Sequence, residues 1–235
     1  MPEEFEGDLT EAVFWGADLR GAKFRDVNLT DISISHALFQ HVDIDAKIDH
    51  VTINGVDVTA YVNERDAWYP LRSMIRATDV AGMRAAWAAL EATWATTVAR
   101  AQRLTEAQVN ESVGGEFSFV ETIRHLVFSM DKWFTVPILG EEFHPMGLPN
   151  RGSMDFGFPN LDFDAAPTFA EALTVRAERT ARLRDYLSGL TQSELAGTVE
   201  VLENGTSSIT DCMFTVFEEE FEHNRYALRD LALLE

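Results

Sequence analysis

The chain has 235 residues and 26.4 kDa, with 46% hydrophobic and 11% aromatic side chains, enough apolar mass for one sizeable core and a smaller module. Its net charge of −20 is spread, with 13 acidic and 5 basic residues in positions 1–65 and 26 and 14 beyond, which excludes a basic footprint for nucleic-acid phosphates and reads as solubility. No charged segment and apolar run open the chain, no apolar stretch approaches the roughly 18 residues of a membrane span, and the single cysteine, Cys212, precludes an internal disulfide, so a soluble cytoplasmic protein without a membrane or nucleic-acid partner is expected.

Residues 12–46 carry an internal repeat with a period of five. Phe14, Leu19, Phe24, Leu29, Ile34, Phe39 and Ile44 form one row, and Ala12, Ala17, Ala22, Val27, Ile32, Ala37 and Val42 stand two residues before each. Neither a helix nor a strand has this period, so the segment predicts a solenoid. The register resembles the pentapeptide-repeat family, whose A(D/N)LXX pattern is best matched by Ala17-Asp18-Leu19-Arg20-Gly21 and Ala22-Lys23-Phe24-Arg25-Asp26. That resemblance implies a small right-handed quadrilateral β-helix with the centre residues stacked inside. The run supplies only roughly two coils, and a solenoid that short needs a neighbour over its open end, which makes it an accessory cap. Asn54-Gly55 between alternating aliphatic residues at 51–58 then predicts a β-hairpin. Residues 1–65 are thus read as a β-solenoid cap with a hairpin.

Residues 66–235 predict a mainly α module of four helices. The first covers about 79–104, with Met83, Trp87, Leu90, Trp94 and Val98 at spacings of four, three, four and four. The second opens at the capping box Ser118-x-x-Glu121 and runs to about 139, before Gly140. The third opens at a second box, Thr168-x-x-Glu171, and continues through Leu173, Arg176, Thr180, Leu183 and Leu187. The fourth starts near Ser208, after a turn at Glu203-Asn204-Gly205, and runs almost to Glu235. The Pro-, Gly- and Phe-rich stretch 140–167 is too long for a tight bundle connection and is expected to cover a site, with His144 at a pocket mouth.

On the fourth helix Glu219 and His223 stand four residues apart, so their side chains project from the same side one turn apart. His125, on the second helix, supplies a third donor, and two ligands from one helix with one from another is how bundles build metal sites. On a helical wheel all three fall at the margin of an apolar stripe, where a bundle core opens into a cleft, with Cys212, Tyr226 and Asp230 near the pair on the fourth helix. The spacing Glu-x-x-x-His also arises in any acidic helix, and Glu218, Glu220 and Glu222 make it so here. Two imidazoles and a carboxylate nevertheless match catalytic zinc, nickel or iron(II) centres, which keep positions open for water or substrate. Cys212 is expected as a small buried apolar residue.

The strings Glu121-Thr122-Ile123-Arg124-His125-Leu126-Val127 and Glu219-Glu220-Phe221-Glu222-His223-Asn224-Arg225-Tyr226-Ala227-Leu228-Arg229-Asp230-Leu231 resemble the DinB/YfiT-like four-helix bundles. Within them they are most similar to the branch of the mycothiol-dependent maleylpyruvate isomerase, over about residues 75–235. The resemblance implies a divalent metal (Zn, Ni or Fe) on His125, Glu219 and His223. It implies a small-molecule substrate and the chemistry of an isomerase, a transferase of low-molecular-weight thiols such as mycothiol, or a hydrolase. Metal-activated water or thiol then attacks an electrophile under the loop, with Tyr226 as a nearby donor and Trp87, Trp133 and His144 lining the pocket. Asn224 and Phe117 depart from a histidine and a tryptophan in relatives. Related bundles often pair through helices, which allows a homodimer. The alternative is a non-catalytic binding protein that uses the pentapeptide-repeat face.

Overall fold

A computed structural model describes residues 5, 7–24, 27–150, 153 and 156–235. Arg25 and Asp26 of the repeat, and residues 151, 152, 154 and 155 of the long loop, lie outside the described residues. The chain forms two compact units, Met1–Asp45 and Ala46–Glu235.

In the first unit the period of five is written into the backbone. Glu11, Gly16, Gly21, Asp31, His36 and His41 all have a positive φ, so the chain turns through the left-handed region once per repeat. Side-chain oxygens of Asp8, Asp18 and Asn28 accept the backbone N–H two residues on, from Thr10, Arg20 and Thr30, which closes an Asx turn at every second repeat. The centre residues remain 49–69% exposed, and no strand is formed among the described residues of this unit.

The second unit begins with the hairpin β1 (Thr52–Ile53) and β2 (Val56–Asp57), antiparallel, with Ile53 opposite Val56. Asn54 and Gly55 have φ of 52° and 79°, the two left-handed positions that a tight hairpin needs. Two short helices follow, α1 (Thr59–Asn63) and α2 (Tyr69–Arg72).

Four long elements then make the bundle: α3 (Val80–Ala101), α5 (Phe119–Met130), α7 (Phe169–Gly189) and α8 (Ile209–Leu234), with α4 (Glu106–Val109) between the first two. Each starts on a side-chain cap that accepts an otherwise unpaired N–H: Asp79, Ser118, Thr168 and Ser208. Helix α3 packs on α7 and α8, and α5 packs on the same two. One part of the core gathers Met83, Trp87, Leu90, Phe134 and Phe217, and another gathers Trp94, Phe119, Ile123, Leu126 and Leu231.

The second predicted helix is continuous but not regular. After α5 it widens into a π-helical turn at Asp131–Thr135 and resumes as α6 (Val136–Leu139), which Gly140 ends with φ 70°. Pro137 has no N–H for the carbonyl four residues back and its ring crowds that carbonyl, so the wider turn absorbs the mismatch. Before α8 the chain adds a hairpin that the sequence reading does not contain, β3 (Thr198–Glu200) against β4 (Thr206–Ser208), around the expected turn at Gly205. No helix among the described residues is long and apolar enough to cross a membrane.

Candidate metal centre

Helix α5 carries His125 and helix α8 carries Glu219 and His223, and the fold brings one donor atom from each within 4.8 Å of the others. His125 Nε2 and Glu219 Oε2 are 3.2 Å apart, as are His223 Nδ1 and Glu219 Oε2. The two imidazoles lie at 4.6 Å between centroids.

A main-chain carbonyl fixes a proton on each ring. His125 Nδ1–H donates to the carbonyl of Leu148 at 3.0 Å, and His223 Nδ1–H donates to the carbonyl of Glu219 at 2.9 Å. A carbonyl only accepts, so each ring carries a proton on Nδ1; His125 turns its Nε2 to Glu219 Oε2, whereas the His223 nitrogen nearest that oxygen is Nδ1 itself. His125 is 1% exposed, and its Nε2 faces a carboxylate oxygen. Two acceptors held at 3.2 Å need a cation between or beside them, either a proton or a metal. Ligands at about 2.0–2.1 Å from one ion are about 2.8–3.4 Å apart in octahedral or tetrahedral geometry, and the 3.2 Å spacings fall in that range, so the residues fit a divalent metal.

The electrostatics agree with a ligand set. Burial, and then the neighbouring His125 charge, push His223 down to about 4, so it is neutral near pH 7. Burial pushes the Glu219 carboxyl up, but the hydrogen bond that His125 donates when a proton rather than a metal lies between them, and the positive charges of His125, His223 and Lys132, outweigh it. The net shift is downward, and the group is anionic.

The rotation of α8 is set from behind by polar contacts. Glu220, beside Glu219, is buried and receives both guanidinium arms of Arg176 at 3.0 and 2.5 Å. Arg176 lies over the ring of Trp94, whose Nε1–H donates to the Glu220 carbonyl at 3.0 Å. One turn on, Asn224 Nδ2 donates to Thr97 Oγ1 at 2.9 Å. Glu220 and Asn224 thus point to α7 and α3 while Glu219 and His223 point to α5. The sequence reading missed this pair, although Arg176 within the apolar stripe of the third helix was a signal of a buried acidic partner.

Aromatic rings line the cluster. Phe117 and Phe128 stand 5.5 and 6.2 Å from the His125 ring, and Tyr226 stands edge-on to His223 at 5.8 Å. Tyr226 is thereby beside the candidate ligands, and exposed. The contacts of the other three pocket candidates lie elsewhere. Trp87 is 3% exposed, stacks on Phe217 in the core and borders a cleft of about 350 Å³ lined by α3 and α7 residues and by Glu220. Trp133 packs on the core beneath the Lys132 ammonium. His144 Nδ1 accepts from the Met146 N–H, the main-chain N–H of His144 donates to the buried Asp131 carboxylate, and burial with the Arg179 charge lowers the imidazole pKa. A second cleft of about 400 Å³ lies between Glu106, Glu121, Arg124 and Thr168.

Fold and site together define a helical bundle with a candidate metal centre held between two of its four long helices. The chain belongs to the DinB superfamily, whose family model matches residues 89–227, and eight copies of the pentapeptide repeat match residues 8–43. No curated protein and no solved structure matches the chain. Proteins of the superfamily typically bind metal, and the His125, Glu219 and His223 cluster lies inside the matched span.

Proposed function

We propose that the protein is a divalent-metal-dependent enzyme of the DinB type, with zinc, nickel or iron held by His125, Glu219 and His223. One observation carries this reading: both imidazoles have their Nδ1 protons engaged by carbonyls, and the buried Nε2 of His125 meets a carboxylate oxygen at 3.2 Å. A metal bound there supplies an acidified water or low-molecular-weight thiol as nucleophile. The chain's own part is to hold the three donors, to keep His223 neutral, and to shape an aromatic wall of Phe117, Phe128 and Tyr226 for a small electrophilic substrate. Thiol transfer, isomerisation and hydrolysis are the reactions this arrangement serves, with Tyr226 as the nearest phenol donor.

The test is elemental analysis of protein purified without a metal-affinity step, beside a His125→Ala and His223→Ala double variant. Near-stoichiometric metal in the first and none in the second is the expected result, followed by screens of thiols with electrophiles and of esters and amides. A native protein that takes up no zinc, nickel or iron on reconstitution overturns the reading.

A second reading rests on the repeat unit, for which we propose the right-handed β-helical coil of its family. Val13, Trp15 and Leu38 occupy outward positions of the repeat and are 81%, 93% and 80% exposed, a surface suited to a partner protein. Partner binding that survives metal removal and is lost in Trp15→Ala distinguishes this role from catalysis.

A further inference from the structure

Helices α3 and α7 leave between them a cleft of about 350 Å³ that contains none of the candidate metal ligands. Leu90 and Val98 of α3 and Leu173 of α7 give it hydrocarbon walls, and it stays open at Ala95 and Ala177, both exposed, where longer side chains would reach across. Its buried side is formed by Arg176 and Glu220. The charges that border it are already paired within the protein, Arg176 with Glu220 and Glu91 with Arg184. Two donors are not. Trp87, 3% exposed, borders the cleft, and its buried Nε1–H meets no acceptor among the described residues. Arg176 gives both Nη groups to Glu220, which leaves its Nε–H without an acceptor among the described residues. A buried donor left unpaired costs its desolvation, so native folds rarely carry one without a partner that completes it.

We infer that this cleft is a second binding site, for a small uncharged and mainly apolar molecule with one carbonyl-type oxygen, and that the oxygen accepts the Trp87 indole N–H. The volume lies within the range of about 300–1,000 Å³ typical of small-molecule sites, and the space between bundle helices is one of their usual places. Paired charges select against ions: a carboxylate has to compete with Glu220 for Arg176, and an ammonium has to compete with Arg184 for Glu91. Water is a poor occupant of the buried end, since it needs about 2–4 polar partners and Leu90, one turn along α3 from Trp87, offers none. Because the N–H is sealed from solvent, binding includes a slight parting of the walls at Trp87. The site needs no metal and so goes beyond the enzyme reading.

The experiment is a proton–nitrogen spectrum of the five tryptophan indoles of the full-length protein, with Trp87 assigned by its loss in Trp87→Phe. The probes are acetophenone and, below its solubility limit, α-methylstyrene, in which a methylene replaces the oxygen. Acetophenone is expected to move the Trp87 N–H resonance downfield and saturably, and to bind at least about threefold more tightly than the hydrocarbon. Trp87→Phe is expected to remove that preference. Ala177→Leu, at an exposed position, fills the cleft and is expected to abolish both titrations while the circular dichroism and melting stay as in the wild type. Ala95→Leu fills it from the facing helix and decides alone should the first variant fail to fold. The inference is overturned if the Trp87 resonance does not respond, if its response survives in the filled cleft, or if the two probes bind equally, the signature of an apolar gap alone. A wild type that is dimeric by sedimentation and becomes monomeric in Ala177→Leu also overturns it, because a second copy then occupies the cleft.

Discussion

Glu219 is the residue at which the competing demands of this site meet, because its carboxylate faces both imidazoles. Replacing it with Gln keeps the shape and removes the charge, and the amide can donate to the His125 lone pair that the carboxylate only opposes. Glu219→Gln is therefore expected to weaken zinc or nickel binding by at least about tenfold while leaving the metal-free protein as stable as wild type, or up to about 1 kcal/mol more stable. Chelator competition and urea melts check the two halves, and a variant that binds metal normally sinks the assignment of Glu219. Cys212 behaves in the opposite way. It is buried in the core beside Met213 and Phe217, and burial raises its thiol to about 11. Its thiol form is favoured by folding, so its contribution is complete below the ordinary thiol pKa near 9 and is lost as pH rises toward 11. At pH 8 a thiol reagent is expected to leave the native protein unmodified and to label it fully in denaturant; rapid native labelling contradicts the burial. The placement of Glu219 beside His223 was legible in the sequence from a one-turn spacing, and the burial of Cys212 from a lone cysteine on an apolar helix.

At the scale of elements, α8 is oriented by a buried ion pair whose partners come from α7 and from the residue next to a candidate ligand. Arg176→Ala strands the Glu220 carboxylate away from water, and a loss of about 3–5 kcal/mol is expected in denaturant melts. Arg176→Met with Glu220→Leu removes both charges and is expected to recover most of that loss. A small effect of the single variant would mean that water or another cation reaches Glu220. The four long helices could be read in advance because each combines an apolar stripe with a cap. The π-helical turn, the β3–β4 hairpin and the short helices α1, α2 and α4 could not, since elements of two to five residues are held by tertiary contacts and leave no periodicity. The loop at 140–167 was expected as a cover. Phe143 and Phe158 pack from it onto Phe128, and it delivers the carbonyl that orients His125. A main-chain carbonyl has no sequence signature, so this half of the ligand geometry was invisible.

For the molecule as a whole, every residue of the buried core clusters lies in Ala46–Glu235, and so do all three candidate ligands. Because the donors come from α5 and α8, a metal bound there ties two helices whose other contacts are apolar packing, and it binds only where those helices are already in place. The linkage is then a stability effect: with free metal at about 100 times its Kd, folding gains about 2.7 kcal/mol. For a domain of this size each kcal/mol moves the melting midpoint by about 2–4 °C, so a chelator is expected to lower it by about 5–11 °C. His125→Ala should melt at one temperature with or without chelator, since its site is already broken. A fragment covering 46–235 should reproduce the chelator shift of the full chain, because no ligand and no core residue is removed with the repeats. Equal chelator shifts in the wild type and in His125→Ala would place the metal elsewhere and leave the bundle without its proposed centre.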